Sequence, residues 1–326
     1  MKLRYVWIIL CFLLSVPVEL TLSGIGNIFD FSYWSCLLKK RYSCPDNDIR
    51  FYLYVPDDFT PTRRRIDVRN PLALKIAGWN PYRKNVLIIH GYNGTESKTP
   101  MTNLRNAYLS RGDHNVFTID WRPLAVFPCY LSSLSNTRLV GQCSAQLYAY
   151  IMDLGGLAEQ TTCVGHSLGA HICGMISSHL TQKQHRIVGL DPAKPLVSQF
   201  GSRQFRLTTE DAYQVQVIHT NAGFLGEINR IGHVDFCVNG GRNQPGCKGH
   251  KLRQARCSHF QSVCYFAATV RGLSLSASPC TSECPKTRNS WGYLPGRSVL
   301  MGHDTPFTAR GTYCIKHVVD TDCPFN

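Results

Sequence analysis

The pentapeptide Gly165-His166-Ser167-Leu168-Gly169 sets a serine between two glycines. An apolar and β-branched run, Thr161-Thr162-Cys163-Val164, precedes it, and a helical pattern from Ala170 to Leu180 follows. A strand turning that sharply into a helix leaves room only for small residues beside the serine. The hydroxyl is then exposed at a helix N-terminus, where the macrodipole favours developing negative charge. The chemistry such a serine could do is acyl transfer. A neutral hydroxyl is a weak nucleophile near pH 7, so it needs a base, and the base needs an acid to fix its tautomer.

Downstream, Val188-Gly189-Leu190-Asp191-Pro192 ends an apolar strand on a carboxylate, and Pro192 stops the strand. A carboxylate at that end shares a rim with the serine, so Asp191 is the candidate acid. The histidines after it are His219, His233, His250, His259, His303 and His317, and chain order does not choose among them. Context favours His259 in Cys257-Ser258-His259, because a disulfide at Cys257 would pin its loop. His219 ends a strand and reads as a structural hydrogen-bonder, while His166 and His171 read as lining the turn. Two N–H donors should meet the oxyanion. One is expected from Leu168, the residue after the serine, and the other from Tyr92, after the strand Val86–His90 and Gly91.

Those groups need a scaffold. Runs of β type occur at Phe51–Val55, Val86–His90, Val116–Asp120, Thr161–Gly165, Ile187–Leu190 and Val215–His219. Helical patterns at Leu139–Leu154 and Ser167–Leu180 alternate with them. The alternation predicts a mostly parallel central sheet with helices on both faces, and the sharp turn at Ser167 fits an α/β-hydrolase fold. The region after about residue 220 reads as loop-rich and cysteine-rich. Lys2 and Arg4 followed by the apolar stretch Val6–Val18 read as a secretory signal, residues 1–23, too short for a membrane span of about 20 residues. Residues 24–326 then read as one catalytic domain, and no later segment is apolar enough to span a bilayer.

Fourteen of the fifteen cysteines follow the signal, which predicts a disulfide framework in an extracellular setting. Neither a His-Glu-x-x-His motif nor a repeated Cys-x-x-Cys pair is present, so no metal and no cofactor are expected. The formal charge of +14 suits anionic partners, phospholipid surfaces and sulfated glycans among them. No nucleic-acid-binding module accompanies it.

Taken together, His90-Gly91-Tyr92, Ile119-Asp120-Trp121, Gly165–His171, Gly189–Pro195, Val217–Thr220, Gly232–Phe236, Pro245-Gly246-Cys247 and Cys257-Ser258-His259 resemble the pancreatic lipase superfamily, in its order, over about residues 50 to 265. The resemblance implies a Ser167–Asp191–His259 triad with Tyr92 and Leu168 at the oxyanion hole. It also implies a lid bracketed by a Cys247–Cys257 disulfide. Only Lys248 to Arg256 lie between these cysteines, and the loop from Thr220 to Gly232 also looks short. Both features resemble the secreted phospholipase A1 branch, including insect and venom enzymes. The stub carries Lys248, Lys251, Arg253 and Arg256, which could meet anionic phospholipid. The chain shows no C-terminal β-sandwich pattern.

Other departures concern cysteines and a carboxylate. Thr208 stands where the family has an aspartate of a calcium site, leaving Asp211, so no calcium is expected. Cys237 is expected to pair with Cys264, Cys280 with Cys284, Cys314 with Cys323, and Cys129 with Cys36 or Cys44. Cys163 and Cys173 read as free thiols. The sequon Asn93-Gly94-Thr95 lies in the oxyanion loop, where a glycan would crowd the mouth, so it is expected to be unoccupied. The favoured function is interfacial hydrolysis of the sn-1 ester of phospholipids. Triacylglycerol or galactolipid hydrolysis and a yolk-protein-like carrier are the alternatives.

Overall fold

The computed structural model describes residues 36–39, 42–58, 60–197, 205–280, 284 and 294–316. The signal-like segment, His317 and Cys323 lie outside the described residues. The strands are β1 (Arg50–Tyr54), β2 (Arg64–Ile66), β3 (Lys84–Ile89), β4 (His114–Asp120), β5 (Thr161–His166), β6 (Gln184–Leu190), β7 (Ala212–His219), β8 (Val234–Val238), β9 (Leu275–Pro279), β10 (Val299–Met301) and β11 (Gly311–Ile315). They form one sheet in the order β10-β9-β11-β8-β7-β6-β5-β3-β4-β1-β2. From β4 through β11 the neighbours run parallel, and the two edges are antiparallel. None of these strands builds a separate β-sandwich.

The four longer helices are α1 (Met101–Arg111), α2 (Tyr130–Asp153), α3 (Leu168–Ser177) and α4 (Lys251–Val270). Strand alternation explains why both faces are covered. Leu87, Ile89, Cys163, Ile187, Val215 and Val217 share one core with Leu139, Leu147 and Ile151 of α2 and Ile172 and Ile176 of α3. Val86, Ile88, Val164, Val188 and Ile218 share the other with Leu104 and Tyr108 of α1 and Val263 and Phe266 of α4. Each central strand is therefore buried on both sides, which is why β3 and β6 read as nearly continuous hydrophobic runs, while β7 interleaves the buried Gln214 and Gln216.

The region after residue 220 is far more regular than its composition suggests, with β8 to β11 and the 20-residue α4. The buried positions of α4 include Ala255, Ser258, His259, Ser262 and Thr269, small or polar side chains that blur the helical period. His259 consequently sits on a helix rather than in a loop.

The disulfides correct several expectations. Cys36–Cys129 forms as one of the two expected options, and Cys44 bonds Cys143. Cys163 and Cys173 are bonded to each other rather than free, because the turn at Ser167 folds α3 back along β5 and brings their Cα atoms within 5.8 Å. Cys237 bonds Cys284, not Cys264. Its neighbours on β8, Phe236 and Val238, face α4, so alternation turns Cys237 to the opposite side. Cys264 is itself disulfide-bonded. Cys280 bonds Cys314, so neither pairs as expected with Cys284 or Cys323. The antiparallel pairing of β9 with β11 sets the two side by side.

Candidate active site

Four residues after the sheet's parallel strands adopt a left-handed backbone that side chains rarely tolerate: Asn93 (φ 52°) after β3, Ser167 (φ 58°) after β5, Asp191 (φ 44°) after β6 and Asn239 (φ 51°) after β8. Such residues cost of order 1–3 kcal/mol each and cluster where function over-determines them. Here they line one rim. Ser167 donates its N–H to Leu190 O (3.0 Å) and Asp191 to Ile218 O (2.8 Å), so each is hooked to the end of the neighbouring strand. Ser167 also stands just ahead of the first residue of α3.

The glycines decide how close the elements come. A Cβ at Gly91 would lie 2.5 Å from Ser167 Cβ, so glycine is required for the turn after β3 to touch the serine. A Cβ at Gly165 would collide with the backbone of Gly169, which closes the elbow on itself. The N–H of Tyr92 follows that contact, and the N–H of Leu168 starts α3. Tyr92 packs edge-on against Tyr130 (ring centroids 5.1 Å, 90°), whose hydroxyl donates to Pro195 O (2.7 Å).

Asp191 is fully buried and fully hydrogen-bonded. Its Oδ2 accepts from His259 Nδ1 (2.6 Å), and its Oδ1 accepts the N–H groups of Thr220 (2.9 Å) and Asn221 (3.0 Å). With Nδ1 donating to Asp191, Nε2 is the nitrogen of His259 that can take a proton. Ser167, Asp191 and His259 are each less than a tenth exposed.

A second histidine supports the first. His166 lies with its ring centroid 4.5 Å from that of His259, and its Nε2 is 3.2 Å from the carbonyl of His259. Burial, helped by repulsion from His259, holds His166 well below the ordinary imidazole range. It is therefore neutral, and its Nε2–H donates to that carbonyl. His171 is likewise neutral by burial. It donates from Nε2 to Ala193 O (2.7 Å) and accepts the Leu207 N–H at Nδ1 (3.0 Å). It braces α3 rather than lining the serine. His219 pairs with the buried Asp235 (2.9 Å), and that carboxylate outweighs burial and raises its pKa.

The model of the family described as Lipase matches residues 35–305. The chain belongs to the lipase family. Lipase member H of Rattus norvegicus is 34% identical over 303 residues, 82% of this chain and 64% of its own length. Phospholipase A1 of Vespula maculifrons is 34% identical over 202 residues, 58% of this chain and 66% of its own. Lipase member H-A of Xenopus laevis is 36% identical over 208 residues, 62% and 45%. The chain thus spans about half to two thirds of the length of these relatives.

In this lipase-family chain the Cys247–Cys257 disulfide is present, but the segment it brackets is not a loop throughout. Lys251, Arg253 and Arg256 belong to the first turns of α4, the helix that carries His259, and Lys248 precedes them on an exposed turn. All four are exposed. Gln244 was not anticipated. Its side chain donates to Thr220 O (2.9 Å) and Val238 O (3.0 Å) and accepts from the Tyr265 hydroxyl (3.0 Å), while its backbone N–H donates to Ser258 Oγ (2.9 Å). It thereby ties the base of the bracketed segment to β7, β8 and α4. A buried glutamine before Pro245-Gly246-Cys247 carries no motif that would announce it.

Where the resemblance would put a calcium site, Thr208 caps a short helix and Asp211 Oδ2 accepts the Thr208 N–H (2.7 Å). Burial pushes the Asp211 carboxyl up to about 6. Its oxygen serves the local backbone. Among the described residues no group of three or more His, Cys, Asp or Glu is arranged to hold a metal ion. No described helix is long and apolar enough to cross a membrane.

Proposed function

We propose that residues 24–326 form a secreted serine esterase that hydrolyses the sn-1 acyl ester of glycerophospholipids at an anionic surface. The observation that carries the reading is the 2.6 Å bond between Asp191 and His259 beside a serine held in a left-handed turn at a helix N-terminus. In this reading Ser167 Oγ attacks the ester carbonyl carbon while His259 Nε2 takes its proton. Asp191 stays ionised and stabilises the imidazolium. The N–H groups of Tyr92 and Leu168 hold the oxyanion, and each such donor is worth roughly 3 kcal/mol of transition-state stabilisation. As the carbon–oxygen bond breaks, His259 returns the proton to the departing alcohol. A water then attacks the acyl-serine by the same route in reverse, releasing the fatty acid.

Phospholipid is favoured by the short bracketed segment and its exposed cations, and a similar chain from Vespula maculifrons is named Phospholipase A1. The same cations could also hold a sulfated glycan. The test is a panel of phosphatidylcholine, phosphatidylserine and triolein with the released acyl position identified, run beside Ser167→Ala. The expected result is sn-1 release from phospholipid, at least about 10⁴-fold lower in the variant. Failure of the unaltered protein to react with a fluorophosphonate probe would favour a non-catalytic carrier. Preference for triolein would favour a neutral-lipid lipase.

A further inference from the structure

The turn 221–226 is built with unusual completeness. Asn221 gives its N–H to Asp191, its Oδ1 accepts the Leu225 N–H (3.1 Å), and its Nδ2 donates to Arg242 O (2.9 Å). Its carbonyl accepts from Gly226 (3.1 Å), and Ala222 donates to Gly241 O (2.6 Å). Lys194 Nζ donates to Gly223 O (3.1 Å) and Arg242 Nη1 to Ala222 O (3.4 Å), placing two cations against the turn. A Cβ at Gly226 would collide with the Asp191 carboxylate, so the turn lies directly on the buried acid. With its backbone so bonded, the turn still leaves Phe224 47% exposed at its tip.

A second exposed apolar residue follows a strand on the other side of the serine's strand. Val126, 38% exposed, lies in the segment after β4, and the neighbouring Ala125 carbonyl accepts the N–H of Asn93 in the turn after β3 (2.7 Å). In the strand order β7-β6-β5-β3-β4, the strands leading to Phe224 and to Val126 lie two places either side of the serine's strand. That is about 10 Å on each side. By strand order two exposed apolar residues thus flank the nucleophile, one on a turn bonded by Lys194 and Arg242, and the exposed cations of the Cys247–Cys257 segment follow β8 from the same end of the parallel strands. Apolar and aromatic tips that enter the acyl boundary, with lysine and arginine at the level of phosphate, are what a membrane interface selects.

We propose that Phe224 and Val126 are the residues by which the protein seats its active-site mouth in an anionic phospholipid bilayer. The proposal rests on the reading of the site as a lipid esterase, and it names the surface that delivers the substrate. Because the Phe224 turn also gives an N–H to Asp191, seating fixes the triad's height above the lipid without a moving part.

The test uses the full chain carrying Ser167→Ala, so that vesicles are not consumed. Phe224→Ala and Val126→Ala should each weaken binding to mixed phosphatidylcholine–phosphatidylserine vesicles, Phe224→Ala by about tenfold. Phe224→Trp should retain binding, and its fluorescence should shift to the blue when vesicles are added. Hydrolysis of a monomeric short-chain ester by the same substitutions on an intact Ser167 reports their folding. Undiminished vesicle binding by Phe224→Ala, or an unshifted tryptophan fluorescence in Phe224→Trp, would overturn the proposal. Loss of ester hydrolysis in the unaltered protein with vesicle binding intact would instead overturn the esterase reading alone.

Discussion

Two disulfides with the same sequence separation of 10, Cys163–Cys173 and Cys247–Cys257, sit on opposite kinds of ground. The first joins β5 to α3 around Ser167, and both its cysteines are fully buried. The second closes a basic, exposed turn onto the start of α4. In the loop-entropy account, cross-links of equal span restrict the unfolded chain equally, by about 2–4 kcal/mol. Any difference in what they do must then come from the native state. The elbow is where geometry has to be exact to fractions of an ångström. In the proposed function the bracketed segment is where charge, not position, matters. Rigid chemistry and adaptable surface are thus divided between two stretches of chain that meet at His259, which is held from one side by Asp191 and His166 and carried on the helix that begins in the other.

The largest effect belongs to the rigid side. Asp191→Asn would keep the shape of the acid while offering an amide where His259 needs an acceptor. The imidazole tautomer would be wrong for taking the serine proton. Turnover should fall by about 10⁴-fold on monomeric esters and vesicles alike. A loss confined to vesicles would remove Asp191 from the chemistry and break the proposed division.

Removing the two disulfides separately sharpens it. Cys163→Ala/Cys173→Ala and Cys247→Ala/Cys257→Ala should lose similar stability in denaturant unfolding, by the equal-span argument. The elbow pair should also lower turnover of a monomeric ester, by about 10- to 100-fold, since displacement of a nucleophile by an ångström costs that much. The other pair should lower monomeric turnover by less than about threefold and act mainly on vesicles. Equal effects on monomeric ester would show that the two regions are not functionally separate.

The same division governed what could be read from the sequence. The six strands expected before residue 220 are all present, because each sends apolar side chains into a buried core and so leaves a mainly apolar, β-branched or alternating run. The elbow was legible because a turn that tight admits few residue types. Helix α4 was not, because its inner face carries serine, histidine and threonine in place of leucine. The disulfides of Cys163 and Cys237 were missed for a related reason. Which cysteines meet depends on a chain reversal and on strand parity, neither of which spacing records. Asn221 and Gly226 escaped because they act on Asp191 through a backbone N–H and through the lack of a Cβ.

The smallest expected effect tests the surface side by setting function against stability. Lys251 begins α4, and no acidic residue occupies the helix's first turn. Cations at a helix N-terminus oppose the macrodipole, at about 0.3–1 kcal/mol each. A segment selected for stability would carry Asp or Glu there, so Lys251 and Arg253 stand against the fold's own preference. An anionic lipid surface would reverse that balance, since each basic residue near it contributes about 1 kcal/mol. Lys251→Gln should therefore raise Tm slightly while weakening binding to phosphatidylserine-containing vesicles about fivefold at low salt. Raising the ionic strength should erase the binding difference, because the Debye length falls to about 3 Å at 1 M. The opposed signs separate this from an unspecific loss of folding, which would lower both quantities. A lower Tm with unchanged vesicle binding would make Lys251 an ordinary helix residue and leave the exposed cations without a lipid role.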